Sequence, residues 1–175
     1  MVVNIKTIKV SLSEEGLDNL ITKLNTLKEG LKEADNQIVK EMAKNVEDMV
    51  TNNINQTPYK DGNDETVAYS EINGNKAVAG MRGRQCVYNE FGTGTKGEES
   101  PHPEKGKFNL KGYNTGPKIR PDNNGNLVWW YFKDGKPWYT NGIPAGKQVF
   151  KAANELRKIK GNIIKDKVGE VISKL

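Results

Sequence analysis

Two short stretches hold the residue types that chemistry would need. Residues 92–97 read GTGTKG, the Gly-x-Gly-x-x-Gly spacing of a dinucleotide-binding loop, and the one histidine, His102, follows five residues later. Such a loop holds a pyrophosphate only when a strand precedes it and a helix N-terminus follows it inside a βαβ unit. QCVYNEF (85–91) alternates as a strand before the glycines. The residues after them, EESPHPEKGK, carry two prolines and an acidic cluster that argue against a helix. No βαβ pattern occurs in the chain, so the glycine spacing does not make a nucleotide site. His102 lies between Pro101 and Pro103, which implies an extended, exposed backbone. Glu98, Glu99 and Glu104 are near it in sequence, but a general base needs a partner and a pocket, and a metal needs further ligands at workable spacing. Nothing frames a serine or cysteine nucleophile. The expectation is a protein without catalytic residues, cofactor or metal.

The single cysteine, Cys86, excludes an intramolecular disulfide and a thiolate-rich metal site, and its place among apolar residues reads as a small buried side chain. The opening MVVNIKTIKVSL has no uninterrupted apolar run like that of a signal peptide, and no segment has the length of a membrane span. A reducing, aqueous compartment is therefore expected. A chain of 175 residues with 35% hydrophobic residues suits one domain, 1–175, with a modest core.

Several elements follow from periodicity. Residues 1–12 alternate as a strand. Ser13 followed by Glu14 and Glu15 reads as a capped helix start, and residues 13–56 keep helical spacing, either as one long helix or as two bent near Gly30. Residues 65–91 alternate as a three-strand antiparallel meander, turning at Asn73-Gly74 and at Gly83. Residues 92–126 hold 7 of the 18 glycines and 4 of the 7 prolines, the composition of an extended binding loop. Residues 127–140 form an aromatic hairpin through Asp134-Gly135. Residues 144–174 form a C-terminal helix that starts at Pro144 and bends or breaks near Gly161. The fold class is α+β: an antiparallel sheet packed with a long N-terminal helix and a C-terminal helix, with a long inserted loop.

Charge is uneven. The net charge is +5, and residues 147–175 alone carry 8 basic and 3 acidic side chains. Lys151, Arg157, Lys158, Lys160, Lys165 and Lys167 mark a solvated helix face, or one turned toward DNA phosphates or an acidic partner. In the hairpin, Trp129 and Tyr131 must face one side and Trp130 and Phe132 the other. One set enters the core; the other needs the loop, a helix or another subunit to cover it.

YNEFGTGT after the meander, a variable loop with PHP, the hairpin WWYFKDGKPWYTNG and the helix opening IPAGKQVFKAANELRK together resemble a family of tailed-phage proteins. These are the head–tail connector (neck or tail-completion) proteins of long-tailed double-stranded DNA phages, lambda minor tail protein Z-like, and the resemblance covers most of the chain. It implies a non-enzymatic virion subunit, assembled in the host bacterial cytoplasm into a homo-oligomeric ring around the DNA channel. Its neighbours would be head-completion or adaptor proteins and tail-terminator or tail-tube proteins, with non-specific proximity to double-stranded DNA and no membrane. The resemblance makes Glu90, Phe91, Gly92, Thr93, Gly94, Gly142, Pro144 and Ala145 anchors of assembly. Pro101, His102, Pro103, Trp129, Trp130 and Tyr131 are read as subunit contacts, and residues 97–120 as an assembly loop dispensable for folding. The alternative is a basic DNA-binding or packaging accessory protein that joins no ring.

Overall fold

The computed structural model describes residues 11–57, 66–108 and 120–174, with only the backbone described at 120, 127 and 129–133. The first helix, α1 (Glu14–Asn55), starts where the sequence signals it. Ser13 is extended, and its hydroxyl accepts from the Gly16 N–H at 3.1 Å, with Glu14 and Glu15 at the positive helix end. The helix runs 42 residues without interruption, about 60 Å. Gly30 therefore marks no bend. A Cβ there would stand 2.7 Å from Val171 Cγ1, so this glycine lets a second helix approach closely.

That second helix is α4 (Gln148–Ser173), which lies antiparallel on α1. Asn53 donates to the Gln148 carbonyl at 2.9 Å near one end, Lys167 pairs with Glu41 at 3.6 Å further along, and Val171 meets Gly30. The helix begins four residues after Pro144 and continues through Gly161 and Gly169 without a break, contrary to the reading from composition. One glycine in a helix backed by a partner costs too little to end it.

Strands β1 (Val67–Asn73) and β2 (Lys76–Arg82) form an antiparallel pair packed on the C-terminal half of α1, where Ser70 donates to Glu47 at 2.6 Å. The turn is one residue later than the Asn-Gly signal suggests. Asn73 pairs with Lys76, so Gly74 and Asn75 are central, and of the two only Gly74 takes positive φ. The meander ends there. QCVYNEF does not add a third strand, because Cys86–Phe91 form a short helix, α2. The core joins Val46, Val50 and Ala152, with Met49, Ile54, Ala68, Ala79, Met81, Val149 and Leu156 around them.

The segment 92–126 is also more structured than a loop of its composition implies. It holds a second short helix, α3 (Gly94–Glu99), a 3-10 turn at Lys105–Lys107 and a two-residue strand, β3 (Arg120–Pro121). β3 pairs with β4 (Leu127–Lys133), which pairs with β5 (Lys136–Thr140) in the expected hairpin. Asp134 and Gly135 both take positive φ, at 53° and 72°, as a tight two-residue turn requires. Of the strand expected over 1–12, residues 1–10 lie outside the described residues, and Ser11 and Leu12 are not in a strand.

Candidate functional site: a buried junction of two anchors

The residues singled out at 90–94 and 142–145 meet in space although some 50 positions separate them. Thr93 and Ile143 exchange backbone hydrogen bonds, Thr93 N–H to Ile143 O at 2.8 Å and Ile143 N–H to Thr93 O at 3.1 Å. Alongside, Gly146 donates to the Asn89 carbonyl at 2.7 Å, Lys147 to the Glu90 carbonyl at 3.2 Å, and Lys96 to the Asn141 carbonyl at 3.0 Å. The two backbones approach so closely that only glycine fits at the crossing points. Gly142 has φ +82°, and a Cβ there would land on the carbonyl of Thr93; Gly92 has φ +73°, and a Cβ there would stand 2.6 Å from Ala145 N.

Glu90 fastens this crossing to α4. Its carboxylate accepts from the Val149 N–H at 3.0 Å and from the Phe150 N–H at 3.0 Å. These are unpaired donors of the first turn of α4, whose own flanking residue, Lys147, makes no side-chain cap. A carboxylate there also meets the positive end of the helix. The cap is thus supplied from 58 residues upstream, which is why the helix starts at Gln148 and not at the proline.

His102 completes the junction. It is buried, 4% exposed, where the flanking prolines suggested an exposed position. Its Nδ1 accepts from the Glu104 N–H at 3.1 Å, so Nε2 carries the proton and donates to Glu90 Oε1 at 3.1 Å. The ring sits against Phe91, with centroids 4.6 Å apart, and Phe150, at 5.1 Å; Phe108 stands edge-on at 6.1 Å. Beside it lies an open cavity of about 310 Å³, walled by Met81, Val87, Phe91, Phe108, Val149 and Phe150, with Cys86 half-buried in its lining. Both ring nitrogens and both carboxylate oxygens are already engaged within the fold. The pair has the composition of an acid–base couple and the geometry of a structural tie.

No protein-family model matches this chain, and no curated protein or solved structure matches it either.

The remaining singled-out residues divide. Glu90, Phe91, Gly92, Thr93, Gly94, His102, Gly142 and Ala145 are buried inside this chain and Pro144 is half-buried, so they present little surface to a neighbour as they stand. Pro101 and Pro103 are exposed. Trp129, Trp130 and Tyr131 lie in β4 opposite Thr140, Tyr139 and Trp138, and both Trp138 and Tyr139 are exposed. In GTGTKG, Gly92 and Thr93 precede α3 while Gly94 and Gly97 lie within it, and the element before them is α2 and not a strand. Gly97 serves packing, since a Cβ there would stand 2.9 Å from the Gly92 carbonyl carbon.

The basic residues of α4 do not form one face. Lys167 turns to α1, pairing with Glu41 and with Glu170 at 3.6 Å each, so it does not belong to an outward cationic surface. Lys158 pairs with Glu155 at 2.6 Å, and Arg157 donates to Asn154. Lys151, Lys160 and Lys165 are exposed. Among the described residues, no group of three histidine, cysteine or acidic side chains is placed to hold a metal, and no helix is long and apolar enough to cross a membrane.

The tie between His102 and Glu90 escaped the sequence reading, although both residues were singled out. A sequence signal for it existed in the pattern of an acidic residue and a lone histidine flanking a glycine turn, but nothing in that pattern points to a helix N-terminus 58 residues away.

Proposed function

We propose that this chain is a non-catalytic structural subunit of the phage head–tail junction, built into a homo-oligomeric ring around the DNA channel of the virion. The observation that carries the reading is the junction itself. Two of the stretches that resemble the connector family, EFGT and the helix opening IPAG with Gly142 before it, lock together as one internal anchor, and Trp138 and Tyr139 of the β4–β5 hairpin are left exposed for contact. Ring subunits need heterologous contacts, one patch meeting a different patch on the neighbour. Exposed aromatics on a braced hairpin supply one such patch. The neighbours would be head-completion or adaptor proteins on one side and tail-terminator or tail-tube proteins on the other.

The experiment is electron microscopy of the purified full chain, with light scattering at two salt concentrations. Annular particles with an open centre are expected, alone or after addition of tail or portal components. A particle that never closes into a ring with those components overturns the reading.

Exposed Lys151, Lys160 and Lys165 favour a second reading, a DNA-binding or packaging accessory protein outside any ring. It requires the isolated subunit to bind duplex DNA with an affinity that falls steeply with salt. The ring reading requires weak binding, because a genome must slide past the lumen.

A further inference from the structure

Among the described residues, the N-terminal end of α1 carries a row of exposed apolar side chains that no other described element covers. Val171 of α4 lies against Gly30 and the helix ends two residues later at Ser173, near Thr26, while β1 and β2 cover the other end of α1. The stretch from Glu14 to Asn25 therefore extends about 18 Å past the end of α4. Leu17, Ile21, Leu24 and Leu31 are 46, 56, 49 and 40% exposed. A surface of this kind on a soluble fold marks an interaction site.

Its spacing says what kind. Exposed Leu17, Leu24 and Leu31 recur at seven-residue steps, and half-buried Leu20 and Leu27 recur at the same step between them. These are the two core positions of a coiled coil, where each leucine seats in a hole formed by four residues of a facing helix. A helix with the same repeat is the natural complement, and this chain supplies one.

Charge chooses the direction. In a parallel, in-register pair Lys23 of each helix would face Lys28 of the other, two like-charge contacts. In an antiparallel pair centred on Thr22, Leu17 packs beside Leu27 of the second copy and Leu20 beside Leu24. Ile21 meets its own copy, and Glu14 faces Lys28 twice. The one unfavourable contact is Lys23 against Lys23. Opposed helix dipoles favour the same direction.

We infer that residues 14–28 of two copies of this chain pair as an antiparallel coiled coil, giving a two-fold dimer of the free protein. The pairing does not rest on the ring reading. It keeps the leucine stripe out of water in the unassembled protein, and a two-fold contact closes on itself without building a ring.

The test uses the full chain with Cys86→Ser, carrying Leu20→Cys or Leu24→Cys as its only cysteine. Sedimentation at tens of micromolar should show a dimer. On oxidation, the mixture of the two variants should form the mixed disulfide in preference to either variant with itself. Leu24→Glu should weaken dimerisation by about tenfold or more while leaving the tryptophan fluorescence and thermal unfolding of the rest of the fold in place.

A monomer at these concentrations, as would follow if another segment or another protein covers the stripe, overturns the proposal. So does faster self-crosslinking of either variant, which signals a parallel pair. Rings in which neither cysteine crosslinks would leave the ring reading standing and remove the helix pair. A mixed-disulfide dimer that never yields rings with tail or portal components would do the reverse.

Discussion

Glu90 is a single residue that meets three demands: its side chain caps α4 and holds the proton-bearing nitrogen of His102, and its backbone carbonyl accepts from Lys147 beside the crossing of Thr93 with Ile143. Glu90→Gln keeps the size of the side chain but offers one carbonyl oxygen and an amide donor where two acceptor oxygens are used. A charge-assisted bond is lost at a buried position. The expected cost is about 2 kcal/mol, read as a fall of roughly 4–8 °C in Tm. Thermal unfolding followed by circular dichroism checks it, and an unchanged Tm would mean that the capping bonds contribute nothing. The residue types here were legible as candidates but not in their role. His102 between two prolines suggested exposure, and its burial follows from the contacts with Phe91 and Phe150, which come from α2 and α4.

At the scale of elements, the signals that held were those enforced by local chemistry alone. Ser13 caps α1, and Asp134-Gly135 turns the hairpin, because each satisfies its own neighbours. The signals that failed were those that a distant segment overrides. CVYNEF alternates like a strand over too short a run to exclude a helix, and as a helix it presents Glu90 to α4. Pro144 looked like a helix start, but the helix begins where Glu90 reaches its free N–H groups. Gly161 looked like a break, and α4 passes through it. A Cβ at Gly161 meets nothing within 4 Å, so Gly161→Ala removes backbone freedom from the unfolded chain without a clash. It should stabilise the protein by about 1 kcal/mol, a rise of roughly 2–4 °C in Tm. A lower Tm in the same thermal scan would mean that the glycine has a packing role the helix does not reveal.

At the scale of the whole molecule, the segment 92–126 changes meaning. Its composition suggested a loop that assembly needs and folding does not. Yet residues 97–120 contain His102, the Gly97 that packs on Gly92, and Ser100, whose hydroxyl accepts from Lys147 at 3.3 Å. Deleting 97–120 should therefore lower Tm or abolish cooperative unfolding, and not yield a folded, assembly-defective subunit. Far-ultraviolet circular dichroism during urea unfolding distinguishes the two outcomes, and retention of the parent midpoint would restore the original view of the loop.

The order in which the core is assembled has a consequence for how the protein is made. Val46 and Val50 leave the ribosome before the Ala152 that covers them, which is about 100 residues behind. At typical rates of synthesis of about 5–20 residues per second, that interval is roughly 5–20 s. Throughout it, the nascent α1 holds two uncovered apolar surfaces, one awaiting α4 and the other the leucine stripe of its N-terminal end. Translation of α4 closes the first. A ribosome stalled before residue 148 would therefore carry a chain that chaperones hold and proteases cut, however much of α1 had already formed.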